Sequence, residues 1–239
     1  MQILNIHLKY LLRGNYVHAP SSALLNISSS ASLRNVKIYV SPGAKLEIGD
    51  NVSLNNAMIC VERGECVIGE RCIIGGASKL QITHLIINDG SLHVDNHTKL
   101  SLDRIWIRFG GHVRIGRYTN INGGSEIRCD ESVTIGSYNQ ISYGVRIWDT
   151  NTHNILSKEE RRKVAEEYYP YYGYESSKPK TAPILIGDDC WIGEKASILK
   201  GTTVGEGAIV GYSCLLSGHE IPTNAVAVSK SVLDIRVSK

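Results

Sequence analysis

Aliphatic residues recur at every sixth position along most of this chain. From Ile186 the series runs Ile186, Ile192, Ile198, Val204, Val210 and Leu216. At a hydrophobic content of 42%, six such hits in one register would arise by chance about one time in two hundred. The step is also found as Val40, Leu46, Val52, Met58, then Ile68, Ile74, Leu80, Ile86, Leu92, then Ile115, Ile121, Ile127, Val133, and finally Ile135, Ile141, Ile147. A small residue follows four places after each of the first five in the series from Ile186: Cys190, Ala196, Thr202, Ala208 and Cys214. A hexad is too short for a helical repeat or a hairpin. It predicts one short strand plus one corner, three units to a triangular coil, each coil burying its aliphatic ring on the next. Gly and Asn are expected at corners that need positive φ. The result is an all-β parallel helix, residues 21–225, with a core running along its axis.

The period lapses after Ile147 and returns with "APILIGDD", so a loop is inserted at about 151–183. Long excursions from a regular solenoid carry function more often than bracing. Within it "SKEERRKVAEEYY" predicts a helix with Ser157 as N-cap and Glu160 completing a capping box. "YYPYYGYESSKPK" follows, where Tyr171 and Tyr172 suit either a sugar face or a neighbouring subunit. The opening "MQILNIHLKYLLRGN" predicts an amphipathic helix ending near Gly14, within an N-terminal cap of residues 1–20; residues 226–239 form a C-terminal tail.

Composition narrows the chemistry. A net charge of +3 argues against nucleic acid as the main partner. No run is long enough to span a bilayer, which points to the cytoplasm, with at most peripheral membrane contact through Leu4, Leu8, Leu11 and Leu12 unless these pack on the body. The six cysteines lack C-x-x-C spacing. They read as core residues of a reduced protein, and no metal is expected.

"IGDDCWIGEKASILKGTTVGEGAIVG" resembles the left-handed β-helix of hexapeptide-repeat acyltransferases, a likeness that extends over roughly residues 36–225. "IWDTNTHNI" is similar to the hydrophobic-Asp-(Thr/Ser)-x-x-His-(Pro/Ser/Asn)-Ile segment of bacterial sugar and polysaccharide O-acetyltransferases, the branch of the galactoside and maltose enzymes. There a long loop follows at once, and the chain returns through a motif matched by Pro183, Ile184, Ile186, Gly187, Trp191, Ile192 and Gly193. The resemblance implies His153 as general base. A sugar hydroxyl is a poor nucleophile, and an imidazole with a pKa of about 6.5 can take its proton during attack. Asp149 either orients that ring or caps the corner. Asn122 and Asp130 fall on acceptor-binding positions of the family, though both types also serve as corner residues.

The resemblance further implies acetyl-CoA as donor, held between subunits of a homotrimer. Matching positions are Trp191, Gly193, Gly211, Tyr212, Ser217 and Lys230, with Trp191 alternatively covering a corner. "SGHEIPTN" departs from the family by placing Gly218 where a base would meet the CoA phosphates, so either Lys195, Lys200 or Arg236 anchors them instead or affinity for CoA is low. The expected function is acetyl transfer from acetyl-CoA to a saccharide hydroxyl. Alternatives are an amino-sugar or nucleotide-sugar N-acetyltransferase, a non-catalytic scaffold, and a γ-type carbonic anhydrase built on His84, His93, His97 and His112.

Overall fold

The computed structural model describes residues 14–76, 81–170 and 177–230. Among them are 25 strands and one α-helix. The strands pair in parallel, each with its counterpart one coil away, and they stack into three faces. The first face includes Lys99–Leu100, Asn120–Ile121, Gln140–Ile141, Trp191–Ile192, Ile209–Val210 and Val226–Ala227. The second includes Thr83–Ile87, Arg104–Ile107, Glu126–Cys129, Arg146–Trp148, Ser197–Leu199 and Leu215–Ser217. Nine strands from Leu24–Ile27 to Glu220–Ile221 make the third. This is the expected parallel β-helix. Strand pairing is the same for either hand of coil, so the left-handed sense rests with the resemblance.

Why the sequence winds this way is visible in the burial pattern. Ile186, Ile192, Ile198, Val204 and Val210 are fully buried and Leu216 is 5% exposed, so the hexad series does line the axis. The small residues Cys190, Ala196, Thr202, Ala208 and Cys214 fill the corners between them. Two members of the earlier series break the expectation. Met58 and Ile86 point outward, and their neighbours Ile59, Leu85 and Ile87 face in. The strand Ser53–Val61 runs through a corner at Asn56, which has φ 52°, and one residue gained there flips the alternation of the rest of that strand.

The glycines of the repeated Ile-Gly pairs also have a different reason from the one expected. Gly187 and Gly193 are not at positive φ; a Cβ on Gly193 would come within 2.7 Å of the Val210 carbonyl oxygen in the next coil. Close stacking of coils excludes a side chain there. Positive φ falls instead two residues later at corners such as Asp189, Tyr138 and Tyr118.

The solenoid takes in parts of both expected ends: Tyr16–His18 pairs with Lys37–Tyr39, inside the predicted cap, and Val226–Ala227 pairs with Ile209–Val210, inside the predicted tail. Their alternating side chains extend the ladders by one strand each. The N-terminal helix itself lies outside the described residues. Helix α1 spans Lys158–Tyr168 with both bonds of the Ser157/Glu160 capping box present.

Candidate active site

The loop leaves at the corner where the second face gives way to the third, between Arg146–Trp148 and Ile184–Ile186. Its stem is closed like a hairpin. Thr150 and Thr181 form an antiparallel bridge, Ala182 N–H donates to the Asp149 carbonyl at 3.0 Å, and Asn151 N–H donates to Lys180 at 3.0 Å. Asn154 Nδ2 donates to the Ser177 carbonyl and hydroxyl, both at 3.1 Å. Between these ties sits His153, exposed beside a shallow hollow that Asn151, Ile155, Leu156 and Arg161 help to line. Thr152, at φ 65°, makes the sharp turn that presents it.

Asp149 resolves one of the alternatives. It is fully buried, and its carboxylate accepts from three successive backbone N–H groups of the coil below: Asp130 at 2.8 Å, Glu131 at 2.8 Å and Ser132 at 2.7 Å. The Cys129 thiol donates to it as well, at 3.3 Å. Asp149 therefore caps a corner. Burial, outweighing these bonds, pushes its carboxyl above the ordinary range, and burial together with Asp149 pushes the Cys129 thiol up, so that the thiol keeps its proton.

Asp130, expected to meet the acceptor, is also committed within the fold. It is 1% exposed, Arg108 grips it with Nε at 2.9 Å and Nη2 at 2.8 Å, and Thr150 Oγ1 donates to it at 2.6 Å. Arg108 Nη2 lies 3.4 Å from the Thr152 carbonyl and so ties the residue before His153 to the same network. Sequence type alone cannot separate a buried structural Asp from one that binds a ligand.

Most of the remaining described candidates lie on another edge. Asn122, Gly193, Gly211 and Tyr212 occupy the corner between the first and second faces, with Trp191 one strand before it. Trp191 and Tyr212 are more than half exposed, and Lys195 Nζ lies 3.2 Å from the Tyr212 hydroxyl, which holds its ammonium above the usual lysine range. Asn122 Oδ1 accepts from Asn120 Nδ2 at 3.2 Å. Ser217 is on the second face above the loop corner, and Lys230 is exposed after the last strand. Tyr171, Tyr172 and Arg236 lie outside the described residues. A single chain therefore carries its candidate residues on two edges separated by the width of the second face.

Between those edges is a surface that the motif reading missed. Arg104 and Trp106 point outward from one strand with Arg108 just past its end, Glu126 and Arg128 from the next, Arg146 and Trp148 from the third, in register. Arg128 stacks over Trp148 at 4.3 Å and Arg108 over Trp106 at 4.5 Å. The signal was present in the sequence as "RIWIR", "EIRCD" and "RIWDT", three period-two segments one coil apart. The histidines of the carbonic anhydrase alternative do not converge within the chain: His84 is on the second face, His93 and His112 on the third, and His97 at a corner.

A family model described as bacterial transferase hexapeptide (six repeats) matches residues 183–218. A putative lipopolysaccharide biosynthesis O-acetyl transferase of Escherichia coli K12 is 32% identical over 148 residues, which cover 59% of this chain and 69% of that protein. The chain belongs to the hexapeptide-repeat transferase family. Within that family the galactoside O-acetyltransferase of Escherichia coli K12 is 30% identical over 123 residues, covering 52% of this chain and 53% of the relative. This chain spans only 18% of a related carboxysome assembly protein of Synechocystis and 39% of a probable acetyltransferase of Mycobacterium tuberculosis. Its fold is similar to that of the polysialic acid O-acetyltransferase OatWY, with a TM-score of 0.50 at 17% identity over 91% of this chain and 92% of that one. No described helix is long and apolar enough to cross a membrane.

Proposed function

We propose that this member of the hexapeptide-repeat family is an O-acetyltransferase that moves an acetyl group from acetyl-CoA to a saccharide hydroxyl, working in the cytoplasm as a left-handed, trimeric β-helix. The observation that carries the reading is the placement of His153 at a braced loop stem on one edge of the second face, with Asn122, Trp191 and Tyr212 on the other edge. In a three-fold arrangement the first edge of one copy meets the second edge of its neighbour, which completes a site that neither copy holds alone. The names of the curated relatives support acetyl transfer and a sugar acceptor.

The edge with Trp191 and Tyr212 fits the donor. Its two exposed rings can cover a flat base or a pantetheine arm, and Lys195 and Lys200 offer charge for phosphates in place of the base lost at Gly218. Gly193 serves coil packing in either case. Acetyl-CoA supplies the activated thioester. His153 takes the hydroxyl proton as the sugar oxygen bonds to the thioester carbon; the carbon–sulfur bond breaks, and the proton passes to sulfur. An acetyl ester and free CoA thiol result. A positioned base contributes about 10² to 10⁴ in rate. Asp149 and the Arg108–Asp130 pair act on the stem that carries His153, not on the reacting atoms.

The test is thiol release from acetyl-CoA with a panel of saccharides, coupled to mass detection of the ester. Acceptor-dependent release that disappears in His153→Ala, with the oligomer intact, is the expected result. Unchanged turnover in that variant overturns the reading, and absence of acetyl-CoA binding in titration calorimetry favours a scaffold.

A further inference from the structure

The second face carries a guanidinium that makes no hydrogen bond. The Arg128 side chain is only 21% exposed and lies over Trp148, and none of its N–H groups meets an acceptor among the described residues. Its Nε comes within 3.2 Å of Glu126 Oε1 but is not directed at it. Glu126 is its complement. Arg104 occupies Glu126 Oε1 through Nε at 2.7 Å and through Nη2, whereas Oε2 accepts nothing from the described residues and is not covered. Largely buried charged groups are normally paired, so a donor and an acceptor left idle on one face call for an explanation.

The two groups belong to one strand but lie toward opposite edges. Glu126 opens the strand Glu126–Cys129, beside the edge that carries Asn122, and Arg128 follows toward the edge that carries His153. A three-fold axis parallel to the solenoid keeps each residue at the height of its equivalents, so where the two edges meet, each coil meets the same coil of the next copy. Glu126 of one copy therefore faces Arg128 of its neighbour. The adjoining coils fit in the same way: Arg104 is set against Trp106 one coil below, and Arg146 against Trp148 one coil above, each a guanidinium beside an indole. Three consecutive levels of the face are complementary to themselves. Trp148 Nε1, covered and unpaired in one chain, falls within the same contact.

Resting on the three-fold arrangement above, we propose that the second face is the seal between copies, with Glu126 of each copy accepting from Arg128 of the next and Arg146 closing over the neighbour's Trp148. The seal does no chemistry. It holds the His153 edge of one copy against the Asn122 edge of another, so the shared site exists only while it is closed.

Light scattering over a dilution series reads the assembly of the full chain, which should be trimeric. Arg128→Gln or Glu126→Gln should raise the concentration of half-assembly about tenfold or more, since each removes a charge-assisted bond. Thiol release per chain should fall along the same dilution curve. Both substitutions break one bond, so the double variant should add little to either single. A short bismaleimide tests which residues meet, in a Cys60→Ser background that removes the one thiol that is not buried. Co-expressed Glu126→Cys and Arg128→Cys chains should give covalent dimers, and either variant alone few or none. A trimer without such dimers, or with the same yield from either variant alone, overturns the pairing and leaves acetyl transfer and the three-fold arrangement standing. Unchanged half-assembly in both Gln variants does the same. A chain that stays monomeric while releasing thiol overturns the pairing and the three-fold arrangement together, but not the transfer. Scattering and cross-linking need no acceptor, so they decide the pairing even where no sugar turns over.

Discussion

Two successive corners join the second face to the third, and they have opposite characters. The lower one turns within Asp130 and Glu131 and goes straight into the strand Ser132–Ile135. The upper one leaves at Asp149, travels through α1 and returns at Ile184, yet Ile184 still pairs with Val133 as if nothing had intervened. The two are stitched to each other: Asp149 reaches down to three N–H groups of the lower turn, and Asp130 receives Thr150 from the upper stem. A solenoid can thus accept a long insertion at no cost to its ladder when the base of the insertion is fixed by the coil beneath. The lower corner then exists to hold, and the upper one to present.

The sharpest way to separate holding from presenting is His153→Ala. It should lower kcat by about 10² to 10⁴ and leave thermal unfolding unchanged. Asp149→Ala should do the reverse in kind: three backbone N–H groups, buried or part-buried, lose their acceptor and the Cys129 thiol loses one of two, and chemical denaturation should report a loss of about 2–4 kcal/mol, with activity falling only as the stem loosens. Ser157→Ala, which removes one half of the capping box, should cost about 1 kcal/mol confined to α1, visible as faster amide exchange in the first turn but not in the coils. The smallest effect belongs to the third face, away from both corners. Glu65 bonds His93 Nε2 at 2.8 Å, and that bond holds its carboxyl below the usual range. Its contribution is present above the ordinary glutamate range and is lost as pH falls through the lowered value. Because both groups are more than one-third exposed, Glu65→Gln should change stability by at most about 0.5 kcal/mol, only on the neutral side of that window.

The coils were legible because one constraint repeats: each inward aliphatic must meet another every sixth residue, so even a single chain samples the rule many times. The exception at Met58 arose from one extra residue at the Asn56 corner, which leaves the composition untouched and reverses the face, and Ile86 shares it because its strand pairs in register with that one. The insertion that carries His153 was legible because the period breaks there and the loop follows at once. The structural bonds of Asp130 were not legible, since they reach Arg108 and Thr150, 22 and 20 residues away in the chain. The Arg and Trp face went unread for a related reason. Its members look unremarkable in each strand, and only pairing at coil spacing sets Arg128 on Trp148.

Asn122 and His153 stand across the full breadth of one face, and in the proposed trimer this has a genetic consequence. Two defective versions of the chain, one lacking the imidazole and the other damaged at the opposite edge, would compensate for each other when co-expressed, because some of the mixed rings would place an intact half beside an intact half. Conversely, a version defective at one edge alone would leave a healthy version with its full number of sites, because its other edge still serves the neighbour.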